Sequence, residues 1–263
     1  MSVPIYQVDA FTDTPFAGNP AGVCLLSGER PDAWMGAVAR EMNLSETAFL
    51  LPEGDGYRLR WFTPAVEVAL CGHATLASAH VLWTEGRAGA AGQLRFHTRS
   101  GELGARREGD WIELDFPARP ERPIELPPGL AEALGARPVY TGLNVDDLLV
   151  LLEDAATVRN LQPDLARLSR LEARGISVTA PADMPGIDFV SRFFAPAVGV
   201  PEDPVTGSAH CCLGPFWQAR LGRDALTGYQ ASTRGGLVKV RMLGERVLLQ
   251  GQAVTVLRGE LLA

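Results

Sequence analysis

The sequence lacks the features that mark a membrane protein or a nucleic-acid-binding protein. No run of apolar residues approaches the ~20 that a membrane span requires, and residues 1–11 show no basic segment followed by an apolar core, as a signal peptide would. Acidic residues outnumber basic ones, 31 against 24, and no basic run is interleaved with aromatic side chains. We therefore expect a soluble, cytoplasmic protein that binds neither nucleic acid nor a membrane.

The sequence is also poor in patterns that hold metals or nucleotides. The spacings of its four cysteines and four histidines match neither a paired metal site nor a redox pair. His73 and His80 are two helical turns apart, which is farther than the usual adjacent-turn metal pair. No glycine-rich loop of the phosphate-binding type follows a predicted strand. The sequence thus predicts no metal, no cofactor and reduced cysteines.

What the sequence does contain is one short passage that occurs twice. Phe62–Val66 leads into Cys71–Ala74, and Phe194–Val198 leads into Thr206–Ala209. The second copy is three residues longer, and the additional residues lie within Glu202–Pro204. The duplication indicates two lobes that diverged from one unit, and a carboxylate inserted beside a repeated glycine turn indicates chemistry.

A glycine begins a predicted helix in each copy, from Gly72 to about Glu85 and from Gly207 to about Leu221. The first backbone N–H groups of a helix have no intrahelical partner, and the helix dipole favours negative charge there. If the lobes are related by approximate two-fold symmetry, both helices point into a shared cleft, where a small carboxylate would bind. The competing interpretation is that the small residues only allow close packing of each helix on a sheet.

Each half of the chain is predicted to place short strands around one central helix. In the first half, we predict strands at Ile5–Asp9, Gly22–Leu26, Thr47–Leu51, Tyr57–Phe62, Leu94–Thr98 and Trp111–Phe116, and a helix at Asp32–Met42. In the second half, we predict a peripheral helix at Pro163–Glu172 and strands at Leu148–Leu152, Ile176–Thr179, Phe189–Phe193, Leu237–Met242, Val247–Leu249 and Ala253–Leu257. Five prolines between positions 117 and 128 indicate a linker. The predicted architecture is therefore α+β, with two pseudo-symmetric lobes, residues 1–118 and 119–263, each a curled mixed or antiparallel sheet around a helix.

With these motifs in place, the chain resembles the PhzF-like phenazine-biosynthesis isomerase family, whose fold is that of diaminopimelate epimerase. The motifs that carry the resemblance are Val8–Phe11, Phe16–Ala21, Asn43–Phe49, Cys71–Thr75, Asp203–Ala209 and Ser232–Gly236. The resemblance implies that Glu46 shuttles a proton and that His73, Asp203 and Ser208 surround the substrate. It also implies that the backbone of Gly72 and Gly207 holds the anionic part of the substrate, and that the protein is a homodimer.

The chemistry of these side chains is consistent with such roles, although each has an ordinary alternative. Moving a proton between carbons beside a carboxylate requires a base, and Glu46 at a strand end is either that base or an exposed charge. His73 either donates to developing negative charge or is a helix-start histidine bonded to backbone. Asp203 alternatively braces a turn with the following proline, and Ser208 alternatively caps its helix.

Cys71 and Thr206 occupy the positions before the repeated glycines, where racemases of this fold have two catalytic cysteines. A threonine hydroxyl is far less acidic than a thiol, which argues against a two-cysteine racemisation. We expect Cys71 to be a small residue at a packed turn, and Cys211 and Cys212 to belong to the core.

The sequence thus favours a cofactor-independent isomerase that moves a proton between carbons of a small carboxylate through Glu46. Three alternatives stay open. The first is an epimerase or racemase that uses Glu46 or Cys71 with an unidentified partner. The second is a non-catalytic metabolite-binding protein, and the third is a scaffold that acts through its surface. No motif singles out the dihydro-hydroxyanthranilate of phenazine synthesis over another amino acid or cyclic acid.

Overall fold

The computed structural model describes residues 2–88 and 92–262. The strands in these ranges are β1 (Val3–Ala10), β2 (Asn19–Leu25), β3 (Glu46–Glu53), β4 (Gly56–Phe62), β5 (Glu67–Val68), β6 (Gln93–Thr98), β7 (Gly101–Glu108), β8 (Trp111–Pro117), β9 (Arg122–Pro123), β10 (Tyr140–Leu143), β11 (Asp147–Leu151), β12 (Gly175–Pro181), β13 (Phe189–Ala195), β14 (Val200–Asp203), β15 (Ala225–Gln230), β16 (Gly236–Leu243), β17 (Arg246–Gly251) and β18 (Ala253–Leu261). The α-helices are α1 (Asp32–Met42), α2 (Gly72–Thr84), α3 (Leu130–Leu134), α4 (Ala155–Asn160), α5 (Leu165–Leu168) and α6 (Gly207–Leu221), and one 3₁₀ turn covers Pro196–Val198. Among the helices of the described ranges, none combines the length and the apolar character that a membrane crossing needs.

The chain divides into two compact units. Unit 1 comprises Met1–Asp115 and Gln250–Ala263, and unit 2 comprises Phe116–Leu249. The C-terminal segment belongs to unit 1 because β18 pairs antiparallel with β1 along its length. The predicted division at residue 118 lies close to the first boundary of these units, whereas the predicted second lobe also contains β18, which pairs within unit 1. No change in composition near residue 250 indicates that the following strand pairs with the first strand of the chain.

The sheet of unit 1 is mixed and surrounds a buried helix. Its strand order is β18, β1, β2, β3, β4, β6, β7, β8, in which β2–β3 and β4–β6 are parallel and the other pairs are antiparallel. Helix α2 packs against β1, β2 and β3, and nine of its thirteen residues are buried. A helix that is apolar on all sides requires this enclosed position. The predicted α+β class with a central helix is confirmed.

Unit 2 has the same order of elements. Its strands follow the order β9, β10, β11, β12, β13, β15, β16, and β11–β12 and β13–β15 are its parallel pairs. Strands β10 to β13 thus take the places that β1 to β4 have in unit 1, and α6 takes the place of α2. Each copy of the repeated passage runs from the end of β4 or β13, through the short strand β5 or β14, into the first turn of the helix.

Helix α1 covers the outer face of β3 and β4. Met35, Val38 and Ala39 are buried in one apolar cluster with Phe49 and Phe62. The two phenyl rings meet edge to face with centroids 5.6 Å apart, a geometry that aromatic pairs prefer. Burial of each large side chain stabilises the fold by about 2 kcal/mol. The cluster therefore fixes β3, the strand that carries Glu46.

Several elements differ from their predicted form. The helix predicted at Pro163–Glu172 is only the single turn α5, preceded by the separate turn α4, because Asp154 and Asp164 each cap a new helix start. Strands β7, β10 and β15 were not predicted. In β7 only Leu103 and Ala105 are buried. Its charged sequence therefore shows almost no alternation of apolar and polar residues, which is the signal of a strand.

Two buried histidines make the stability of the fold sensitive to acid. His210 in α6 is fully buried, and its Nδ1–H donates to the carbonyl oxygen of Thr206 at 2.8 Å. Burial lowers the pKa of His210 to about 4, against the opposing effect of that hydrogen bond, and burial lowers the pKa of His73 to about 3. Histidines in the unfolded chain titrate near 6.5, so only the unfolded state takes up these protons as the pH falls below that value. Stability is therefore fully present above pH 6.5 and is lost toward pH 4.

We predict that the free energy of unfolding, measured with urea, falls between pH 7 and pH 4.5. In His210→Gln the fall should be smaller by roughly 1.4 kcal/mol per pH unit, because one proton-linked group is removed. His97→Gln, at a partly exposed position, serves as the control for the loss of one histidine. An unaltered pH dependence in His210→Gln would contradict this account.

Candidate active site

The way in which helix α1 ends determines the position of Glu46. Asn43 terminates that helix in the left-handed conformation, with φ of 50°, and its N–H bonds to the carbonyl oxygen of Ala39 at 3.1 Å. Asparagine tolerates this conformation better than other side chains, which explains its place here. Glu46 follows as the first residue of β3, paired with Ala21 on the parallel strand β2. Its side chain is 18% exposed, so it is shielded and still reachable.

His73 lies beside Glu46 and is held in one tautomer. It is the second residue of α2, its side chain is 5% exposed, and its Nε2 lies 3.3 Å from Oε2 of Glu46. On the other side of the ring, Nδ2 of the fully buried Asn19 lies 3.2 Å from Nδ1. An amide nitrogen donates and does not accept, so Nδ1 carries a lone pair. With the Asn19 amide in this orientation, the neutral ring carries its proton on Nε2, which faces Glu46.

The His73 ring is neutral. Burial lowers its pKa to about 3, so the ring is uncharged at physiological pH. Its buried Nε2 makes no hydrogen bond to any of the described residues, because the contact with Glu46 lies outside hydrogen-bond geometry. A buried donor without an acceptor costs about 1–3 kcal/mol, and such groups call for a functional explanation. The alternative of a histidine satisfied by backbone is not what the structure shows.

Cys71 completes a cluster that resembles a set of metal ligands. Its Sγ lies 3.5 Å from Nδ1 of His73, and single ligand atoms of Glu46, Cys71 and His73 lie within 4.8 Å of one another. In this arrangement, however, the Nδ1 lone pair accepts from Asn19 and Nε2 carries the proton, so the imidazole has no lone pair for a cation. We keep the prediction that the protein uses no metal here. None of the four cysteines, all within the described ranges, forms a disulfide.

Both glycine helices begin where the sequence predicts. Helix α2 starts at Gly72 and α6 at Gly207, and neither N-cap residue, Cys71 or Thr206, provides a side-chain hydrogen bond to the helix. No side-chain cap therefore satisfies the first N–H groups of either helix. An anion can bind at a helix N-terminus when these groups are available to it.

In unit 2, the carboxylate of Asp203 is held by the turn before α6. Its Oδ2 accepts from Oγ1 of Thr206 at 2.5 Å. The buried Gln230 accepts from the Thr206 N–H at 2.9 Å and donates to the Asp203 carbonyl oxygen at 2.8 Å. Asp203 therefore does brace this turn. Sequence reasoning missed Gln230, because its contact joins a strand end to a turn 24 residues away.

Ser208 is not the N-cap of its helix. Thr206 occupies that position, and Ser208 is the second helical residue. Its Oγ accepts a hydrogen bond from Nη2 of Arg174 at 3.2 Å. The capping interpretation of Ser208 is therefore wrong. Arg174 was not among the predicted site residues, because nothing in its local sequence distinguishes it from the other surface arginines.

The predicted site residues are divided between the units. Glu46, Gly72 and His73 belong to unit 1, whereas Asp203, Gly207 and Ser208 belong to unit 2. Within unit 1, the structure brings Glu46 and His73 into contact and adds Asn19, to which the sequence analysis gave no role.

Comparison with known proteins identifies the family. Residues 8–259 match the family model of the phenazine biosynthesis-like proteins, PhzC-PhzF. The chain belongs to the phenazine biosynthesis-like family. An uncharacterized isomerase of Halalkalibacterium halodurans is 54% identical over 263 residues, which cover 100% of this chain and 99% of that protein. The predicted family resemblance is confirmed, and the prediction of an isomerase agrees with the name of this relative.

Solved structures of the family and beyond it share the fold. The crystal structure of a PhzF-family phenazine biosynthesis protein from Enterococcus faecalis is 42% identical, with a TM-score of 0.96 and full coverage of both chains. A probable proline racemase from Agrobacterium radiobacter has a TM-score of 0.66 at 12% identity and covers 98% of this chain and 92% of its own. That second likeness shows the fold alone, and the predicted epimerase-like fold is confirmed.

We predict that nitrogen NMR of labelled protein will find Nδ1 of His73 unprotonated, Nε2 protonated and no titration between pH 8 and pH 5. The reason is the Asn19 hydrogen bond together with the low pKa of the ring. Asn19→Leu should lose the single tautomer, whereas Asn160→Leu on the exposed end of α4 should keep it. A His73 that titrates near 6.5 in the wild type would refute the assignment.

Proposed function

We propose that the protein is a cofactor-independent isomerase that moves a proton between carbons of a small carboxylate-bearing metabolite, with Glu46 as the shuttle. One observation carries the proposal. A partly shielded carboxylate lies 3.3 Å from a buried, neutral N–H donor that has no hydrogen-bond acceptor among the described residues. A base beside a donor of this kind is what enolisation of a carboxylate or ketone requires. The isomerase name of the 54% identical relative supports the same reaction class.

In the first step, the Glu46 carboxylate removes a proton from a substrate carbon. The C–H bond breaks, an O–H bond forms on Glu46, and the electron pair of the C–H bond moves into the adjacent unsaturated system of the substrate. A positioned carboxylate that accepts this proton accelerates the step by about 10²–10⁴-fold.

His73 stabilises the charge that this step creates. Its Nε2–H donates to the oxygen on which negative charge develops, and no proton is transferred from the ring. The hydrogen bond from Asn19 keeps the proton on Nε2 and the ring in place. Because the ring is neutral at physiological pH, it does not form a fixed ion pair with Glu46 that would weaken the base.

In the second step, the protonated Glu46 returns its proton to a different carbon on the same face of the substrate. The O–H bond breaks, the new C–H bond forms with the delocalised electron pair, and the carboxylate is regenerated. No electron is gained or lost, so the net reaction is an isomerisation. We assign to Asp203, Gly207 and Ser208 the binding of the substrate, with its anionic group at the N-terminus of α6.

The proposal predicts that Glu46→Gln abolishes turnover while ligand binding is retained. Proton NMR in D₂O would follow a panel of small carboxylates, including dihydro-hydroxyanthranilate, with wild type and variant. We expect deuterium at a carbon position or a shifted double bond with the wild type alone, and a loss of about 10²–10⁴-fold in the variant. Glu53→Gln, at the exposed end of the same strand, is the matched control and should remain active.

Undiminished turnover in Glu46→Gln would reject the glutamate shuttle. A product with one inverted stereocentre would favour the epimerase or racemase alternative. Binding of a panel member without any change in either protein would favour the metabolite-binding alternative.

A further inference from the structure

An arginine stands two residues before the repeated passage in both units. It is Arg60 before Phe62 on β4, and Arg192 before Phe194 on β13. Each guanidinium group lies over the ring of that phenylalanine, with its central carbon 5.1 Å from the ring centroid in unit 1 and 4.8 Å in unit 2. The duplicated unit therefore includes a shielded cation over an aromatic face, in addition to the apolar and glycine residues.

Both arginines hold a glutamate with the same two nitrogen atoms. Nε and Nη2 of Arg60 donate to the two carboxylate oxygens of Glu67, both at 2.8 Å. Nε and Nη2 of Arg192 donate to those of Glu202, at 2.7 and 2.9 Å. Two parallel bonds of this kind fix the plane of the guanidinium group relative to the carboxylate. The four side chains are between 10% and 23% exposed, so water and salt screen these pairs little.

The third nitrogen, Nη1, bonds in both units to the helical segment that precedes the next strand of the sheet. In unit 1 it donates to Oδ1 of Asp32, the first residue of α1, at 2.8 Å. In unit 2 it donates to the carbonyl oxygen of Leu161, at the C-terminal end of α4, also at 2.8 Å. Helix α1 connects β2 to β3, and α4 lies in the equivalent connection from β11 to β12. We call these three-point contacts the arginine joints, which consist of Asp32, Arg60 and Glu67 in unit 1 and of Leu161, Arg192 and Glu202 in unit 2.

The glutamates of the two joints have the same spacing to the central helices. Glu67 precedes Gly72 by five residues, and Glu202 precedes Gly207 by five residues. The spacing from the arginine to the glutamate is seven residues in unit 1 and ten in unit 2. The three additional residues of the second copy therefore lie before Glu202, and the prediction that they lie within Glu202–Pro204 is wrong.

In unit 1, the arginine joint connects the two segments that lead to the Glu46–His73 contact. Asp32 begins the helix whose end determines the position of Glu46, and Glu67 lies on β5, which leads to α2 and His73. One guanidinium group thus holds both segments. Its hydrogen bonds lower the pKa of Glu67, against the opposing effect of burial, so the pair with Arg60 stays ionised at physiological pH.

In unit 2, the arginine joint holds the residue directly before Asp203. Glu202 and Asp203 are the last two residues of β14. The residue after the glutamate is Val68 in unit 1, so the two units share the joint although the side chain that follows it has diverged. The joint therefore belongs to the common scaffold, and it places a different chemical group in each unit.

We propose that Arg60 and Arg192 are positioning residues of the active site, of which Arg60 fixes the contact between Glu46 and His73 and Arg192 fixes the carboxylate of Asp203. Each acts through its glutamate and through the helical connection at its third nitrogen. The inference rests on the roles that the proposed function gives to the three positioned side chains, and it adds the residues that hold them in place. A misplacement of about 1 Å at a reacting group can lower turnover about 10²-fold.

Nitrogen NMR of His73 tests the joint of unit 1 without a substrate. In an otherwise wild-type protein, Glu46→Gln should shift the Nε2 signal, because the carboxylate lies 3.3 Å from it. In Arg60→Gln the same substitution should no longer shift the signal, since the two side chains lose their fixed contact. Arg58→Gln removes a paired arginine on the same strand, and this matched control should preserve the shift. A full shift in Arg60→Gln would overturn the role of Arg60.

The variant Arg60→Lys separates the geometry of the joint from its charge. It keeps a cation beside Glu67, to which Arg99 also donates at 2.8 Å, so we expect it to fold with little change in thermal unfolding. A lysine ammonium lacks the planar fork that bonds two oxygens of one carboxylate and reaches Asp32 at the same time. The Glu46→Gln shift should therefore be lost in this variant as well. A wild-type shift in Arg60→Lys would show that the charge suffices and would overturn the joint.

Amide hydrogen exchange tests the joint of unit 2. Arg192→Gln should accelerate exchange of the Thr206 N–H, which bonds to Gln230 at 2.9 Å, by roughly tenfold or more, as the loss of hydrogen bonds to a charged group predicts. The amide of Val238, a fully buried strand residue of the same unit, should stay slow. Arg159→Gln, at a more exposed arginine of this unit, is the matched control. Equal acceleration at both amides would mean a general loss of stability and would overturn the proposal.

A failed joint and a failed proton shuttle give different results. Turnover by Glu46→Gln would reject the shuttle, whereas the His73 signal would still measure the joint. With a carboxylate that the wild type converts, Arg60→Gln should lower kcat about 10²-fold and leave KM almost unchanged, because the binding residues are assigned to unit 2. Arg192→Gln should instead raise KM. A wild-type kcat in folded Arg60→Gln would overturn its positioning role.

Discussion

The chemistry of unit 1 depends on one buried hydrogen bond, from the amide of Asn19 to Nδ1 of His73. That bond decides which nitrogen of the ring carries the proton, and therefore whether Glu46 faces a donor or a lone pair. It also takes up the lone pair that a cation would need. Enclosure of α2 by its sheet keeps the ring neutral, because water is excluded from its surroundings. The tautomer of His73 thus depends on Asn19, and its neutral charge depends on the burial of α2.

Much of this arrangement was predictable because its signals are local. Helix α1 was predicted at its observed bounds, because a proline precedes it. Helix α6 was predicted at its observed start, because a glycine begins it. In both helices, apolar residues recur at helical spacing. Glu46 at the start of β3 follows from the same logic, because Asn43 ends the preceding helix three residues earlier. The family motifs then pointed to His73, and the structure adds the contact between the two side chains.

The features of the site that could not be predicted from the sequence depend on contacts between distant positions. Asn19 bonds to a ring 54 residues away, and Arg174 bonds to a hydroxyl 34 residues away. An arginine in a turn has the same local signal whether it is free in solvent or held by Asp147. Its contact with Ser208 is visible only in the folded structure, because it joins the residue before β12 to the first turn of α6.

The pairing of β18 with β1 makes unit 1 discontinuous along the chain. All of unit 2 is synthesised before the residues that complete the sheet of unit 1, so unit 2 is the first that a growing chain can finish. Until residues 253–261 emerge, β1 keeps one edge unpaired, and an unpaired edge is a site of aggregation. The pairing of β18 with this edge joins positions more than 240 residues apart. Contacts between positions so distant in the sequence form slowly during folding. Unit 1, which contains Glu46 and His73, is therefore the last to be assembled, and its production is sensitive to any loss of residues from β18.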